Sequence, residues 1–554
     1  MARVEYAMGR VTAEFEEAVE GLAALDAGKR IWARDSTLWT ESGEEAWLAW
    51  LDAPLQAARW VRDTSELREE AQRAGVKDVV LLGMGGSSLC PEMLSITFPA
   101  DATPHLSILD STVPDQVLAV DRGIDLRKTW FIVASKSGST TEPNILLDYF
   151  YHRTEGDGSK FIAITDRGSP LEAVSIERNF RYVFHGIPEI GGRFSALSAF
   201  GLVPAALAGI DLARFLESAA SMQAECAPHV PVESNPGLVL GAAIAAASKT
   251  GCDKMTFLIS QALSRLGGWV EQLIAESTGK DGVGICPVVE EPGRSPECYL
   301  PDRIFVFVLV GDDSRLSAHA RELEAEGHPV IRVFLDEVWD LSGELFRWEV
   351  ATAAASVLLG VNPFDQPDVQ QSKDLTARTI SDFVASGRFP EEQLIASDAY
   401  LKLYSTGTPA SSVGECLGEL FTQTPQMGYV ALSAFIDTQP FAEEALQRIR
   451  QLLGHRLGVA TTMGFGPRFL HSTGQLHKGG PGNGIFLHIT CDPIDDVQVP
   501  EAGYSLGNLS LSQALGDVKA LEGRNRPVLR CHLSDLRDGL DHLEQMLRRF
   551  LPPR

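Results

Sequence analysis

From about residue 76 the chain alternates short apolar runs, glycine- or serine-rich turns and helical stretches, and that alternation leaves few folds open. VKDVVLLGM, TWFIVASK, KFIAITD and RYVFHGI each have the length of a strand and each enters a polar or glycine-rich turn. A second series begins near residue 254 with KMTFLIS, RIFVFVLVG and HPVIRVFLD, and helical stretches such as SAHARELEAEG lie between its strands. Strands that are apolar throughout are buried on both faces, and strands separated by helices pair in parallel. An α/β fold with parallel sheets covered by helices on both faces is therefore expected. Residues 1–75 place apolar side chains three and four apart in EFEEAVEGLAAL and EEAWLAWLDAPLQAARWVRD, which predicts helices. Residues 376–554 combine helical stretches (SDFVASG, FAEEALQRIRQLLG), a strand at GIFLHIT and a helical tail at DGLDHLEQMLRRF. The expected division is an N-terminal helical segment (1–75), a first α/β domain (76–210), a second (211–375) and a C-terminal helical and α/β region (376–554).

A chain of 554 residues has room for three or four domains of about 150 residues each. Its net charge of −26 argues against a nucleic-acid or anionic-membrane surface. An anionic ligand would need a locally basic cleft. The first 30 residues lack a signal-peptide pattern and no apolar run reaches about 18 residues, so no membrane span and a cytoplasmic location are expected. The eight cysteines are scattered without a CxxC pair, and the histidines form no HxxxH or HExxH pair. Reduced thiols are expected, with no metal site and no disulfide frame.

Three turns that follow apolar strands could hold a phosphate. GMGGSS (83–88) lets the backbone approach an anion at Gly86 and offers the Ser87 hydroxyl, but Ser88 stands where a dinucleotide loop would have its third glycine. No GxxxxGK[ST] loop is present. SKSGSTTE (135–142) is the more informative turn: Ser135, Lys136, Ser137 and Thr140 stand among five hydroxyls and a lysine directly after a buried strand. GGRFS (191–195) sets Arg193 after two glycines that leave space beside its guanidinium. Further on, Glu276 ends the apolar-periodic GGWVEQLIAE with Gln272 four residues earlier on the same face, and Gly279 follows as a helix stop. Lys373 lies seven residues after Gln366, two helical turns on, in a helix opened by Pro367.

In this order the motifs resemble the glucose-6-phosphate isomerase family. SKSGSTTE looks like the phosphate loop of SIS (sugar isomerase) domains, and GMGGSSLCPE, GGRFSALSAFGL, ESTGKDG and NPFDQPDVQQSK look like that family's loop and signature segments. GFGPRFLHSTGQ is similar to a stretch in the isomerase half of bifunctional transaldolase/glucose-6-phosphate isomerase proteins. The resemblance implies two SIS-type doubly wound α/β sandwich units. It also implies interconversion of glucose 6-phosphate and fructose 6-phosphate through a cis-enediol, without cofactor or metal. Glu276 would be the proton-transfer base, Arg193 the enediolate stabiliser and Gln272 a substrate ligand. Lys373 would act at the ring oxygen and Gln366 at the phosphate or substrate. Gly86, Ser87, Ser135, Lys136, Ser137 and Thr140 would hold the phosphate. Lys136, Arg193, Lys280 and Lys373 would supply the basic cleft.

LHSTGQ offers His471 for ring opening, with His477 as the alternative, although the family's corresponding motif precedes the NPFDQP segment and here it follows by about a hundred residues. In the family that histidine comes from a second subunit, so the resemblance implies a homodimer whose partner is otherwise a small sugar phosphate, with a functional link to a separate transaldolase. A non-catalytic SIS-type sugar-phosphate sensor is the main competing reading. An isomerase for mannose 6-phosphate or glucosamine 6-phosphate is another.

Overall fold

The computed structural model describes residues 3–99, 104–407 and 409–551, whose strands form three sheets. The first runs β3 (His105–Leu109), β2 (Asp78–Leu82), β4 (Thr129–Ala134), β5 (Phe161–Thr165), β6 (Tyr182–His185), all parallel. The second runs β1 (Arg3–Ala7), β10 (Val330–Leu335), β9 (Arg303–Val310), β7 (Lys254–Ile259), β8 (Cys286–Val288), parallel except for β1. The third runs β11 (Leu394–Ser397), β12 (Leu401–Tyr404), β16 (Val528–Leu533), β15 (Gly484–Cys491), β13 (Tyr429–Phe435), β14 (Ala460–Phe465). Its last four strands are parallel and its first two antiparallel.

The same winding occurs three times. In each sheet the first parallel strand lies between the second and the third: β2 between β3 and β4, β7 between β8 and β9, β13 between β14 and β15. The chain reverses its direction of travel there, which opens a crevice at the carboxyl ends of the strands. GMGGSS follows β2 and SKSGSTTE follows β4, so both turns flank the first crevice. The third sheet extends what periodicity showed of residues 376–554, where one strand was evident.

One expectation for residues 1–75 fails. Arg3–Ala7 is a strand that pairs antiparallel with β10. Five residues are too few to show a period, and the strand is fixed by its partner: the Arg332 guanidinium donates to Glu5 at 2.8 Å, and Arg3 lies 4.5 Å over the Phe334 ring. The rest of the segment packs into the body. Trp50 stacks on Phe194 with centroids 5.2 Å apart, in a core that also holds Trp269 and Trp348.

Six of the helices lie around the sheets as follows: α1 (Thr141–Arg153), α2 (Leu266–Thr278), α3 (Leu341–Leu359), α4 (Pro367–Ser386), α5 (Gly474–Gly479) and α6 (Leu506–Gly523). The third sheet has its own apolar core, but residues before and within α6 (Val499, Leu506, Leu509) close the outer face of the first sheet. A buried charge joins the third sheet to the second. Glu291 accepts from Arg303 at 2.9 Å, from Arg294 at 2.7 Å and from the Thr461 amide of β14 at 2.8 Å. Burial opposes its ionisation, yet Arg303 and Arg294 outweigh that and push the carboxyl down to about 2. No described helix is long and apolar enough to cross a membrane.

Cys90, just past the GMGGSS turn, is a core thiol lying 3.8 Å from the Ala196 carbonyl, and burial pushes it up.

On α3, Glu349 is fully buried and neither carboxyl oxygen has a hydrogen-bond partner among the described residues. Burial holds its pKa well above 4.5, so the folded protein keeps the acid protonated while the unfolded chain ionises it. The sign follows: below about pH 4.5 the group costs nothing, and as pH rises toward its folded value it removes about 1.4 kcal/mol of stability per unit. Glu349→Gln should flatten the decline of Tm between about pH 5 and 7. A parallel decline in variant and wild type would refute the assignment.

Candidate active site

The site forms where the first sheet's crevice meets α2, α4 and the turn between β14 and α5. The SKSGSTTE turn runs from β4 into α1. Thr140 is the residue before the helix, and its side chain does not cap it. Ser135 donates to the Thr140 hydroxyl at 2.9 Å, and the Ser137 and Ser139 hydroxyls are 2.9 Å apart. Hydroxyls bonded to one another at the N-terminus of a helix are free to turn toward an anion. Lys136 is not. Its ammonium pairs with Asp166 and donates to the Pro188 carbonyl at 2.9 Å, because the carboxyl end of the neighbouring strand β5 puts a carboxylate beside it.

Gly86 serves a different purpose from the one its sequence position predicts. A Cβ there would stand 2.0 Å from the Gly192 carbonyl oxygen, so its missing side chain seats GMGGSS on GGRFS rather than on a ligand. Ser87, next in the chain, is also buried.

That contact directs Arg193 inward. Its guanidinium is buried and donates to the Ser277 hydroxyl (2.8 Å), the Gln366 side-chain oxygen (2.9 Å) and the Asp365 carbonyl (2.9 Å), and lies 3.3 Å from Glu276 Oε1. Gln272 donates to Glu276 Oε2 at 3.1 Å and to the His471 carbonyl at 2.8 Å. Its own amide oxygen is buried without a donor among the described residues. Lys280 pairs with Asp365 at 2.7 Å and also donates to the Asn362 carbonyl; burial and the neighbouring Arg193 push its ammonium down to about 8. The basic cleft expected of Lys136, Arg193, Lys280 and Lys373 is thus mostly neutralised in pairs. Lys373, on α4, is exposed with no ion pair among the described residues.

His471 enters the site from the third sheet of the same chain, in the short 3₁₀ turn Arg468–His471 after β14. Its Nε2 lies 3.2 Å from Glu142 Oε1. Glu142 is buried; burial would raise its carboxyl, but the charge of His471, its hydrogen bond and Lys373 lower it, so it is an ionised acceptor. The turn is fixed by Arg468, whose guanidinium donates to Glu92 at 2.7 Å and to Asp110 at 2.9 Å in the first unit. Ser88 of GMGGSS donates to the same Asp110 at 2.8 Å.

His477 does not compete for this place. It packs against Phe486, Tyr429 and Phe469, with ring centroids 5.0, 6.1 and 6.3 Å away, and burial pushes its pKa down to about 3. The helix α2 does stop at Gly279, for a reason other than backbone handedness. Gly279 has φ −79°, not a left-handed value, and is needed because a Cβ would meet the Leu476 Cα of α5 at 2.5 Å.

Sequence reasoning passed over Glu142, Arg468 and Gln513. Glu142 reads as an ordinary acid at a helix start. Arg468 stands inside GFGPRFLHSTGQ, where its spacing from His471 was the available signal. Gln513 donates to Glu142 Oε1 at 2.7 Å, and no motif marks it.

The phosphoglucose isomerase family model matches residues 62–286. The glucose-6-phosphate isomerase of Thermus thermophilus is 35% identical over 392 residues, covering 60% of this chain and 90% of that enzyme. That of Methanocaldococcus jannaschii is 27% identical, covering 55% of this chain and 85% of that enzyme. Among solved structures, a hypothetical protein from Thermus thermophilus superposes with TM-score 0.62 at 27% identity, covering 69% of this chain and all of that one. A glucose-6-phosphate isomerase from Chlamydia trachomatis superposes with TM-score 0.53 at 20% identity, over 70% of this chain and 90% of that one, and shares the fold.

Gly86→Ala should cost about 2–4 kcal/mol, because the obstruction is backbone and cannot rotate away. Urea unfolding measures it; a cost below about 0.5 kcal/mol, the range of surface substitutions, would mean the two loops do not pack as described.

Proposed function

The chain belongs to the glucose-6-phosphate isomerase family, and we propose that Glu276, Arg193 and His471 carry its interconversion of glucose 6-phosphate and fructose 6-phosphate within a single chain. The observation that supports this most is the shared contact of Gln272, whose amide holds both the Glu276 carboxylate and the His471 carbonyl. It couples the two groups that the two chemical steps require.

In ring opening the C1–O5 bond breaks, the ring oxygen takes a proton from His471, and the C1 hydroxyl loses its proton to solvent as the carbonyl forms. Glu142 holds the imidazole in place for this. In isomerisation Glu276 removes the proton from C2, the hydroxyl proton passes from O2 to O1 as negative charge spreads over the two oxygens, and the same carboxyl returns a proton to C1. A carboxylate 3.3 Å from a guanidinium suits that sequence, because the cation stands where the enediolate charge develops. The donor-less amide oxygen of Gln272 suits a sugar hydroxyl. The phosphate would lie on the Ser135, Ser137, Ser139 and Thr140 hydroxyls at the start of α1, with the exposed Lys373 close enough to help lower the Glu142 carboxyl of the same helix.

Purified protein given fructose 6-phosphate with EDTA present should form glucose 6-phosphate, read by a coupled dehydrogenase; no product would end this reading. Glu276→Gln should lower kcat by about 10³-fold and His471→Ala by about 10²-fold, within the range for general acid–base groups. Because His471 reaches the site in cis, a mixture of the two inactive variants should stay inactive. Restored turnover on mixing would show that the histidine is exchanged between chains.

The ammonium of Lys280 holds Asp365 beside Gln366 and Arg193. Deprotonation as pH rises through about 8 should loosen that loop and lower kcat/KM. Lys280→Arg should move this fall to higher pH; an unmoved profile would detach Lys280 from it.

A further inference from the structure

We infer that Gln513 is a positioning residue for ring opening, holding Glu142 so that His471 presents one fixed nitrogen to the sugar. The inference rests on the isomerase reading above and adds a residue that lies far from every motif.

Gln513 is buried on α6, and its amide bridges the loop after β3 and the first turn of α1. Its Nε2 donates to Glu142 Oε1 at 2.7 Å, and its Oε1 accepts from the Thr112 hydroxyl at 2.6 Å. The chemistry of the partners fixes the direction of each bond. An ionised carboxylate only accepts, so the NH2 must face Glu142 and the carbonyl oxygen must face Thr112, whose hydroxyl therefore donates. The amide cannot flip without setting oxygen against oxygen.

The same oxygen of Glu142 faces His471 Nε2 at 3.2 Å. That nitrogen must then carry hydrogen toward Glu142, which leaves Nδ1 as the nitrogen not engaged by the carboxylate. Thr112, Gln513, Glu142 and His471 form a directed chain, each link setting the next. Thr112 and Gln513 are 0% and 2% exposed, so water does not compete for these bonds.

The helix that carries Gln513 is fixed by charge one turn further on. Asp517 pairs with Lys478 of α5 and lies 2.8 Å from His488 Nε2 of β15. This triad anchors α6 to the helix that follows the His471 turn. A shift of α6 would therefore move Gln513 and His471 together.

The test reads ring opening separately from proton transfer at C2. Glucose 6-phosphate deuterated at C2 slows turnover only to the extent that proton transfer limits the rate. In Gln513→Ala, Glu142 is free to rotate and ring opening slows, so kcat with the cyclic substrate should fall about 10-fold, and the isotope effect should shrink toward unity. Gln513→Glu sets a second carboxyl against Glu142 and should recover activity as pH falls and the pair takes up a proton. Thr112→Val, which removes only the outer donor, should move the isotope effect in the same direction by a smaller amount, and it carries the test if Gln513→Ala does not fold.

A kcat loss in Gln513→Ala with an unchanged isotope effect would mean fewer folded molecules and overturn the inference. Wild-type kinetics in all three variants would do so too. Wild-type protein that forms no glucose 6-phosphate would instead sink the isomerase reading.

Discussion

The candidate site depends on one arginine held between two carboxylates of another unit. Arg468 belongs to the third sheet's connection, yet its guanidinium is spent on Glu92 and Asp110 beside the first sheet. Arginine suits this place because its planar fork can serve two acceptors at once, while a lysine ammonium offers a point charge on a flexible stem. Arg468 lies in the same 3₁₀ turn as His471, so the ion cluster sets the imidazole's position along the crevice. Asp110 also accepts from Ser88, which joins the GMGGSS turn to the same cluster. The loop read first as a phosphate holder is thus better described as a wall: it receives GGRFS on one side and, through Asp110, the histidine turn on another.

The three sheets divide the work by repeating one winding. The first supplies the hydroxyl-rich turn and Glu142 at the carboxyl ends of its switch-point strands. The body around the second supplies Glu276 and Gln272 on α2 and, through the loop before α4, the partners of Arg193. The third supplies no carboxyl-end pocket to this site. It supplies a turn beyond β14 and one face of α6, and it is held in place by Glu291 with its two arginines and by the glycine contact at Gly279. A buried carboxylate with two arginine partners is expensive to desolvate, and its value here lies in fixing one docking geometry. The resemblance implied a histidine donated by a second subunit. In the structure His471 of the same chain lies against Gln272 and Glu142, about a hundred residues past the NPFDQP segment.

Much of this was legible because the signals were local. A strand that ends in Gly-Gly or Ser-Gly declares its turn, and Gln272 and Glu276 share a helix face at four-residue spacing. The rest failed for definable reasons. β1 exists only because β10 offers it an edge, and five residues show no period of their own. Lys136 looked like a phosphate ligand because sequence cannot show that Asp166, 30 residues on, ends the adjacent strand. Gly86 was read as making room for an anion and Gly279 as a helix stop, whereas each makes room for a part of the chain that approaches from elsewhere. Gln513 carries no signal at all, since its partners lie about 370 and 400 residues away.

The paired charges explain how a chain of net charge −26 can take an anionic ligand. An unpaired cation buried in the crevice would cost too much to desolvate, so Arg193 and Lys280 are folded in with Glu276 and Asp365 already beside them. The cluster is close to neutral before any sugar arrives. In the proposed complex the phosphate would be met by groups that cost little to bury, the hydroxyls and the positive end of α1, with the exposed Lys373 adding charge from solvent. In the proposed reaction Glu276 would cease to balance Arg193 on accepting the C2 proton, and the enediolate would take its place as the guanidinium's counter-ion. Charge around Arg193 would be conserved through that step, so the arginine would not have to move, and a cation that need not reorganise is what stabilises a transient oxyanion most.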